Sequence, residues 1–197
     1  MGYYRAGFTE IVGVDIVFQP RYPFNFIQED ALEYLRNHGH EFDFIHASPP
    51  CQRYSHCTPV AYRSFHPDLI LPLQVLLGEM EAPYAIENVP NARHLLRDPI
   101  MLCGSMFDLP IFRHRYFEVN PAVFTVDLPF CNHNFVPVLI TGRTNRKGQA
   151  RFDYSVAERR TAIGCEWMIG KEVDQAIPPA YTKWLGEQFF TFGGLEC

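Results

Sequence analysis

An apolar run followed by two prolines is the feature that most constrains the fold of this chain. Residues 41–47 alternate polar side chains with aromatic or β-branched ones, and Pro49 and Pro50 follow closely. Because proline has no amide hydrogen for a strand ladder, the run predicts a strand that stops abruptly and leaves Cys51 on a stiff loop. In open α/β sheets, ligands bind at such strand ends. Cys51 is therefore a candidate functional residue.

A second predicted strand places a carboxyl group near this loop. Residues 83–86 form another strand-like run that ends in Glu87 and Asn88, and residues 68–80 between the two runs have a helical pattern. A strand, helix and strand in this order form a right-handed crossover, which makes the two strands parallel. Parallel strands end on the same edge, so we expect Cys51 and Glu87 to face one crevice.

A thiol and a carboxylic acid in one crevice suit the methylation of an unreactive pyrimidine ring carbon. Addition of a thiolate to carbon 6 of cytosine makes carbon 5 electron-rich, and an acid at ring nitrogen 3 stabilises the resulting charge. Each residue alone has an ordinary interpretation. A cysteine after a strand is usually a small buried hydrophobe, and a Glu-Asn pair is usually a cap or a turn. It is their combination that indicates chemistry.

Three segments, in this order, resemble motifs of the cytosine-5 DNA methyltransferases, most closely the compact phage and bacterial members. They are Ser-Pro-Pro-Cys-Gln at residues 48–52, Glu-Asn-Val at residues 87–89 and Arg-His-Arg at residues 113–115. The resemblance implies a doubly wound, mostly parallel α/β sheet of the Rossmann-like type that binds S-adenosylmethionine. It also implies double-stranded DNA as the partner, with the target cytosine flipped out of the helix.

The resemblance assigns roles to four catalytic side chains. Cys51 attacks carbon 6, and Glu87 steadies ring nitrogen 3. Arg113 and Arg115 hold the flipped base and its flanking phosphate, with Arg115 nearer the ring oxygen. Their spacing of two predicts that both arginines lie on one face of a strand. An Arg-x-Arg pair without this context is usually part of a solvated charged face.

Further residues are predicted to contact the cofactor and the DNA. Asp15 ends the strand-like residues 10–16, where an acid can bind ribose hydroxyls, and Asp30 precedes a helix, where it can also be a plain N-cap. The predicted cofactor contacts are Asp15, Ile16, Asp30, Ala31 and Pro50. The predicted DNA contacts are Gln52, Ser55, Arg143, Arg146, Lys147 and Arg151, the last four in a basic loop that contains no acid and could otherwise be merely solvated.

The predicted organisation is a catalytic core at residues 1–119, a small target-recognition segment at 120–155 and C-terminal helices at 156–197. A strand is predicted at residues 136–141, and helices at 156–169 and 176–189. Two features depart from the family pattern. Asp174 and Gln175 stand where members usually have Gly-Asn. Residues 1–8 resemble the second half of a helix that stops at Gly7, so we expect the first strand and the glycine-rich cofactor loop to be missing.

Either Met1 is an internal methionine of a longer reading frame, or the chain is a truncated relic that holds the cofactor weakly. The catalytic residues are all present, which favours the first interpretation. Two functions therefore stay open beside DNA methylation, namely an inactive DNA-binding remnant and a transfer-RNA cytosine methyltransferase. Methylation of an exocyclic amino group is a further competitor, but it needs no adduct, and such enzymes carry an aromatic residue where Cys51 stands.

Composition fits a soluble enzyme of the reducing cytoplasm, and we expect a monomer. The chain has 197 residues, of which 47% are hydrophobic and 20% charged, with a net charge of -5. Neither a membrane span nor a secretory signal is predicted, and six cysteines are too few for a disulfide scaffold. Cys103, Cys131, His133 and Cys165 could bind zinc, but the single-residue gap between Cys131 and His133 is tighter than usual zinc spacing. The sequence therefore predicts no metal site.

Overall fold

The chain folds into a mixed α/β structure whose described residues divide into two units. The computed structural model describes residues 1–80, 82–122, 128–140 and 154–192. The sheet unit comprises the described residues of 12–101 and 114–122, and the helical unit comprises those of 1–11, 102–113, 128–140 and 154–192.

Two small sheets form from the described strands. β1 (Val12–Asp15) pairs in parallel with β2 (Asn25–Gln28). β3 (Ile45–Ala47), β4 (Tyr84–Asn88), β5 (Ile100–Leu102) and β6 (Arg115–Asn120) form a four-stranded sheet in the order β3-β4-β6-β5. β3 and β4 are parallel, whereas β4 and β6 are antiparallel.

The described strands therefore do not form the predicted continuous, mostly parallel sheet. No described strand joins the β1–β2 pair to the four-stranded sheet. A doubly wound sheet needs one uninterrupted hydrogen-bonded ladder, and a strand able to pair with both β1 and β3 would be required to make it. The antiparallel β6 further reduces the parallel character of the larger sheet.

The predicted strand, helix and strand around Cys51 are confirmed. α3 (Ile70–Met80) connects the parallel strands β3 and β4. Its buried residues Ile70, Leu73 and Leu77 pack against Tyr84 and Ile86 of β4 in the core of the sheet unit. Because side chains alternate along a strand, Tyr84 and Ile86 face α3 and Glu87 faces the other side of the sheet.

A shorter helix, α2 (Ala31–His38), follows β2. The Asp30 carboxylate accepts hydrogen bonds from the backbone amides of Leu32, at 2.9 Å, and Glu33, at 3.0 Å. Asp30 is thus the N-cap that the sequence predicts, because its side chain satisfies amides that have no partner within the helix. Leu35 of α2 is buried in the core of the sheet unit.

The helical unit begins with α1 (Gly2–Ala6), which ends where the sequence predicts. Gly7 has a φ of 118°, in the left-handed region that glycine reaches without strain. α1 packs against α6 (Pro179–Phe192), the predicted closing helix. The two helices approach so closely that a Cβ on Gly2 would lie 2.4 Å from the Pro179 carbonyl oxygen.

Two predictions for the C-terminal half are wrong. The helix predicted at residues 156–169 ends early, because Gly164 stops α4 (Val156–Ile163) in the left-handed region with a φ of 78°, and a separate short helix, α5 (Lys171–Gln175), follows. Residues 136–140 of the predicted strand are not in a strand. Pro137 has no amide to donate, and Val138 instead donates one hydrogen bond to the Pro110 carbonyl at 2.7 Å. No described helix has the length and apolar character that crossing a membrane requires.

Candidate active site

The parallel pairing of β3 and β4 places the Cys51 loop beside the end of the Glu87 strand. Ala47 at the end of β3 lies opposite Ile86, the residue before Glu87. The next residue, Asn88, donates a hydrogen bond from its side-chain amide to the Pro49 carbonyl at 3.1 Å. This bond ties the loop that carries Cys51 to the strand that carries Glu87. The predicted common edge is confirmed.

The backbone after Cys51 is held in a tight turn. The amides of Tyr54 and Ser55 both donate to the Cys51 carbonyl, at 3.0 Å and 2.8 Å. Asn91 then donates its side-chain amide to the Tyr54 carbonyl at 2.9 Å. Cys51 itself is partly exposed, so a ligand can reach it, which distinguishes it from an inert buried cysteine.

A buried ion pair fixes the Glu87 carboxylate. Arg115 Nε lies 2.8 Å from Glu87 Oε1, and the two side chains are only 15% and 7% exposed. The pairing follows from the antiparallel register, in which Asn88 lies opposite Tyr116 and so brings the start of β6 to the end of β4. A second nitrogen, Arg115 Nη1, donates to the His114 carbonyl at 2.8 Å. We call Cys51, Glu87, Asn88 and Arg115 the strand-end site.

Arg113 is bound within the helical unit. Its Nη2 donates to the Asp174 carbonyl at 2.7 Å, and its own carbonyl accepts the Tyr181 hydroxyl at 2.7 Å. The prediction that Arg113 and Arg115 share one face of a strand is wrong, because β6 begins only at Arg115. Its contact with a base stays a prediction. The departure at Asp174 has a structural role, since the Asp174 side-chain carboxylate binds Arg159 Nη1 at 2.5 Å.

The predicted cofactor residues lie at the corresponding ends of β1 and β2. The Asp15 carboxylate accepts the Val17 amide at 2.8 Å and the Gln19 side-chain amide at 3.5 Å. Asp30 follows β2 and caps α2, whose first residue is Ala31. Ile16 is 68% exposed, so its apolar surface is accessible to a ligand. These carboxylates and this surface fit the nucleoside end of S-adenosylmethionine, while Pro50 lies in the Cys51 loop.

Two of the six predicted DNA contacts, Gln52 and Ser55, lie within the described residues. Gln52 is exposed, and the Ser55 hydroxyl accepts the Cys57 amide at 3.1 Å. The basic loop residues Arg143, Arg146, Lys147 and Arg151 lie outside the described residues.

Three residues near this edge were not assigned a role from the sequence. Asn88 and Asn91 hold the loop, and a polar residue at the end of an apolar run is the signal that could have identified Asn88. His46, on β3, lies on the same side of the sheet as Phe117, with ring centroids 6.3 Å apart. Desolvation among these packed neighbours lowers the pKa of His46 to about 4, so the ring is neutral at physiological pH.

No family model matches the chain, and neither does any curated protein. One similar solved structure is a chain from E. coli whose description names a DNA modification methyltransferase encoded within a prophage. It is 23% identical, with a TM-score of 0.42, over 73% of this chain and 48% of that chain. The present chain therefore spans about half the length of that protein. Values this low do not establish family membership or activity.

Proposed function

We propose that this chain is a DNA methyltransferase that methylates carbon 5 of cytosine through a covalent adduct with Cys51. The observation that supports the proposal is the hydrogen bond from Asn88 to Pro49. It holds a partly exposed thiol and a buried carboxyl group at one strand edge, which is the pair of groups that this reaction needs. The three sequence motifs point to the same chemistry.

In the proposed reaction, the Cys51 thiolate forms a bond to carbon 6 of a flipped cytosine. Glu87 takes up a proton from solvent as the cytosine binds, and its carboxyl group passes this proton to ring nitrogen 3 as negative charge develops there. Arg115 positions the Glu87 carboxyl group through their ion pair. S-adenosylmethionine supplies an electrophilic methyl group for carbon 5. The carbon 5 proton leaves to solvent water, the Cys51 thiolate departs, and ring nitrogen 3 returns its proton to the Glu87 carboxylate, which restores the aromatic ring.

The remaining assignments are parts of this proposal. Asp15, Ile16, Asp30, Ala31 and Pro50 contact the cofactor. Arg113, Gln52, Ser55 and the basic loop contact the flipped base or the DNA backbone. The catalytic core extends to residue 119, the target-recognition segment covers residues 120–155, and residues 156–197 complete the core. We propose a monomer that acts on double-stranded DNA in the cytoplasm of a bacterial or phage-infected cell.

The proposal is tested by trapping the adduct. Duplex DNA that contains 5-fluorocytosine is incubated with the protein and S-adenosylmethionine, because fluorine cannot leave as the carbon 5 proton does. A covalent protein–DNA complex is expected on a denaturing gel, with the crosslinked peptide containing Cys51. Cys51→Ala should abolish the complex, while Cys57→Ser, which changes an exposed cysteine, should preserve it.

Other outcomes would contradict the proposal in distinct ways. Transfer of labelled methyl to cytosine without an adduct would indicate amino methylation. An adduct with transfer RNA but not with duplex DNA would assign the other substrate. DNA binding with no transfer and no adduct would identify a non-catalytic DNA-binding protein.

A further inference from the structure

Two cysteines and a histidine from separate segments converge in the helical unit. The Sγ atoms of Cys103 and Cys131 and a ring nitrogen of His133 lie within 4.8 Å of one another. His133 Nε2 is 3.5 Å from Cys103 Sγ and 3.0 Å from Cys131 Sγ. We call these three residues the thiol–imidazole cluster. Neither the strand-end site nor the proposed methyl transfer uses it.

The separations in the cluster match those of ligands around one tetrahedral metal ion. Zinc binds thiolate sulfur at about 2.3 Å and imidazole nitrogen at about 2.0–2.1 Å. In a tetrahedron with these bond lengths, a sulfur and a nitrogen ligand lie roughly 3.5 Å apart. The two observed sulfur–nitrogen distances are 3.5 Å and 3.0 Å. Small adjustments of the side chains would therefore centre a metal ion.

The surroundings of the cluster hold its ligands in place. Cys103 is fully buried, and the Ser105 hydroxyl lies 3.3 Å from its sulfur and 3.8 Å from the sulfur of Cys131. The backbone amide of Asn132 donates to the same hydroxyl at 3.1 Å. The His133 ring stacks on Phe112, with centroids 3.9 Å apart and planes 19° apart. Outer contacts of this kind orient ligands in metal sites.

We propose that Cys103, Cys131 and His133 bind one zinc ion. Two sulfur–zinc bonds form as the two thiol protons leave to solvent, and the imidazole binds as its neutral form. Soft thiolate ligands with an imidazole select zinc over magnesium or calcium. The ion links residues 131–133 to the turn at Cys103. Residues 131–133 belong to the segment proposed for target recognition. The metal site itself does not depend on the proposed methyl transfer.

The fourth zinc-ligand candidate considered from the sequence, Cys165, does not take part. Cys165 is 1% exposed and packs with Ile111, Ile163 and Val173 in the core of the helical unit. Burial raises the pKa of its thiol to about 11. Cys165 is therefore a core residue, and its sulfur does not belong to the group of ligand atoms that lie within 4.8 Å of one another.

The proposal is tested by the metal content of the full chain, purified under reducing conditions without chelator. Inductively coupled plasma mass spectrometry should find one zinc per chain. After removal with a chelator, cobalt(II) should restore one equivalent and give the visible and thiolate charge-transfer bands of a tetrahedral site. Rebinding of each zinc ion should release two protons, which a weakly buffered pH indicator can count.

Matched variants separate a real site from incidental binding. Cys131→Ser and His133→Ala change ligands that are not fully buried, so both variants should fold. Each should weaken zinc binding by more than about 100-fold, since loss of an outer contact alone costs about 10–100-fold. Cys57→Ser should bind zinc normally. Metal content that is far below one equivalent, or that these two ligand variants leave unchanged, would overturn the proposal. A disulfide between Cys103 and Cys131 in metal-free protein isolated from the cytoplasm would also overturn the proposal.

Discussion

Two buried carboxylates on neighbouring strands of the sheet unit have very different surroundings. Glu118 of β6 lies opposite Ile86 and so faces α3. It accepts hydrogen bonds from Gln74 Nε2 at 2.6 Å, the Tyr84 hydroxyl at 2.9 Å and the Arg97 amide at 2.8 Å. Glu87 of β4 faces the opposite side and pairs with the Arg115 guanidinium.

The difference separates a carboxylate that serves the fold from one placed for chemistry. Glu118 accepts hydrogen bonds from neutral donors on α3, on β4 and in the chain before β5. Donors within the core therefore stabilise the negative charge of Glu118. Glu87 pairs with the charged Arg115 side chain next to the loop of a partly exposed thiol. A buried acid in such a position is a candidate functional group. The predictions below test this contrast.

The largest effect on stability is expected for Glu118→Ala. Three donors would lose a charged acceptor inside the core, and each such bond contributes about 1.5–3 kcal/mol. Because the bonds share one group, we expect the free energy of unfolding to fall by about 3–5 kcal/mol rather than by their sum. Urea unfolding measures the change. As a control, Glu79→Ala changes an exposed position on α3 and should lower the free energy of unfolding by less than about 0.5 kcal/mol. If Glu118→Ala lowered it no more than Glu79→Ala does, Glu118 would not be structural.

A smaller loss is expected for Arg115→Ala. The variant leaves the Glu87 carboxylate buried without its cation, and breaking a buried pair costs about 3 kcal/mol at the lower end of the usual range. Arg115→Lys should restore part of this loss, because the charge returns without the planar fork. The double variant Arg115→Ala with Glu87→Gln should be more stable than Arg115→Ala alone. If it is not, the ion pair is not what holds this edge together.

The smallest effect is a pH dependence from His46. Its pKa is about 4 in the folded protein and about 6.5 when unfolded. Between these values the unfolded chain binds a proton that the folded chain does not, so the free energy of unfolding falls as the pH falls from about 6.5 towards 4. The slope for one proton is at most about 1.4 kcal/mol per pH unit.

Urea unfolding at pH 7 and pH 5 measures this contribution. His46→Phe should flatten the difference between the two pH values, and His40→Gln, at an exposed position, should leave it unchanged. An identical pH dependence in the wild type and in His46→Phe would show that His46 titrates normally in the folded state.

The strand ends could be predicted from sequence because their signals are local. Two prolines stop β3, the apolar pattern of residues 68–80 marks α3, and one crossover rule then places Cys51 and Glu87 on the same edge. The Asp30 cap and the stop at Gly7 are local as well, and both are confirmed.

Other features depend on contacts between distant residues, which spacing does not reveal. Arg113 belongs to an Arg-x-Arg motif, yet its guanidinium donates to the carbonyl of Asp174, 61 residues away. Cys103 and His133 approach each other across 30 residues, so a rule based on the gap between Cys131 and His133 rejected a cluster that tertiary structure assembles. The break between the two sheets likewise depends on which strands pair, and no single strand pattern encodes it.

The most direct test of the strand-end site compares substitutions of two acids, Glu87 in the site and Glu118 in the core of the sheet unit. Duplex DNA with pyrimidin-2-one in place of cytosine can accept a thiolate at carbon 6 without methyl transfer, so the rate of adduct formation reports Cys51 and its acid alone. Relative to the wild type, Glu87→Gln should slow the adduct at least about 100-fold, the lower limit for a positioned acid. Glu118→Gln, wherever it remains folded, should react within about twofold of the wild type, since Glu118 lies on the opposite face of the sheet from Glu87. An unchanged rate in Glu87→Gln, or no adduct with the wild type, would contradict the assignment of Cys51 and Glu87 as nucleophile and acid.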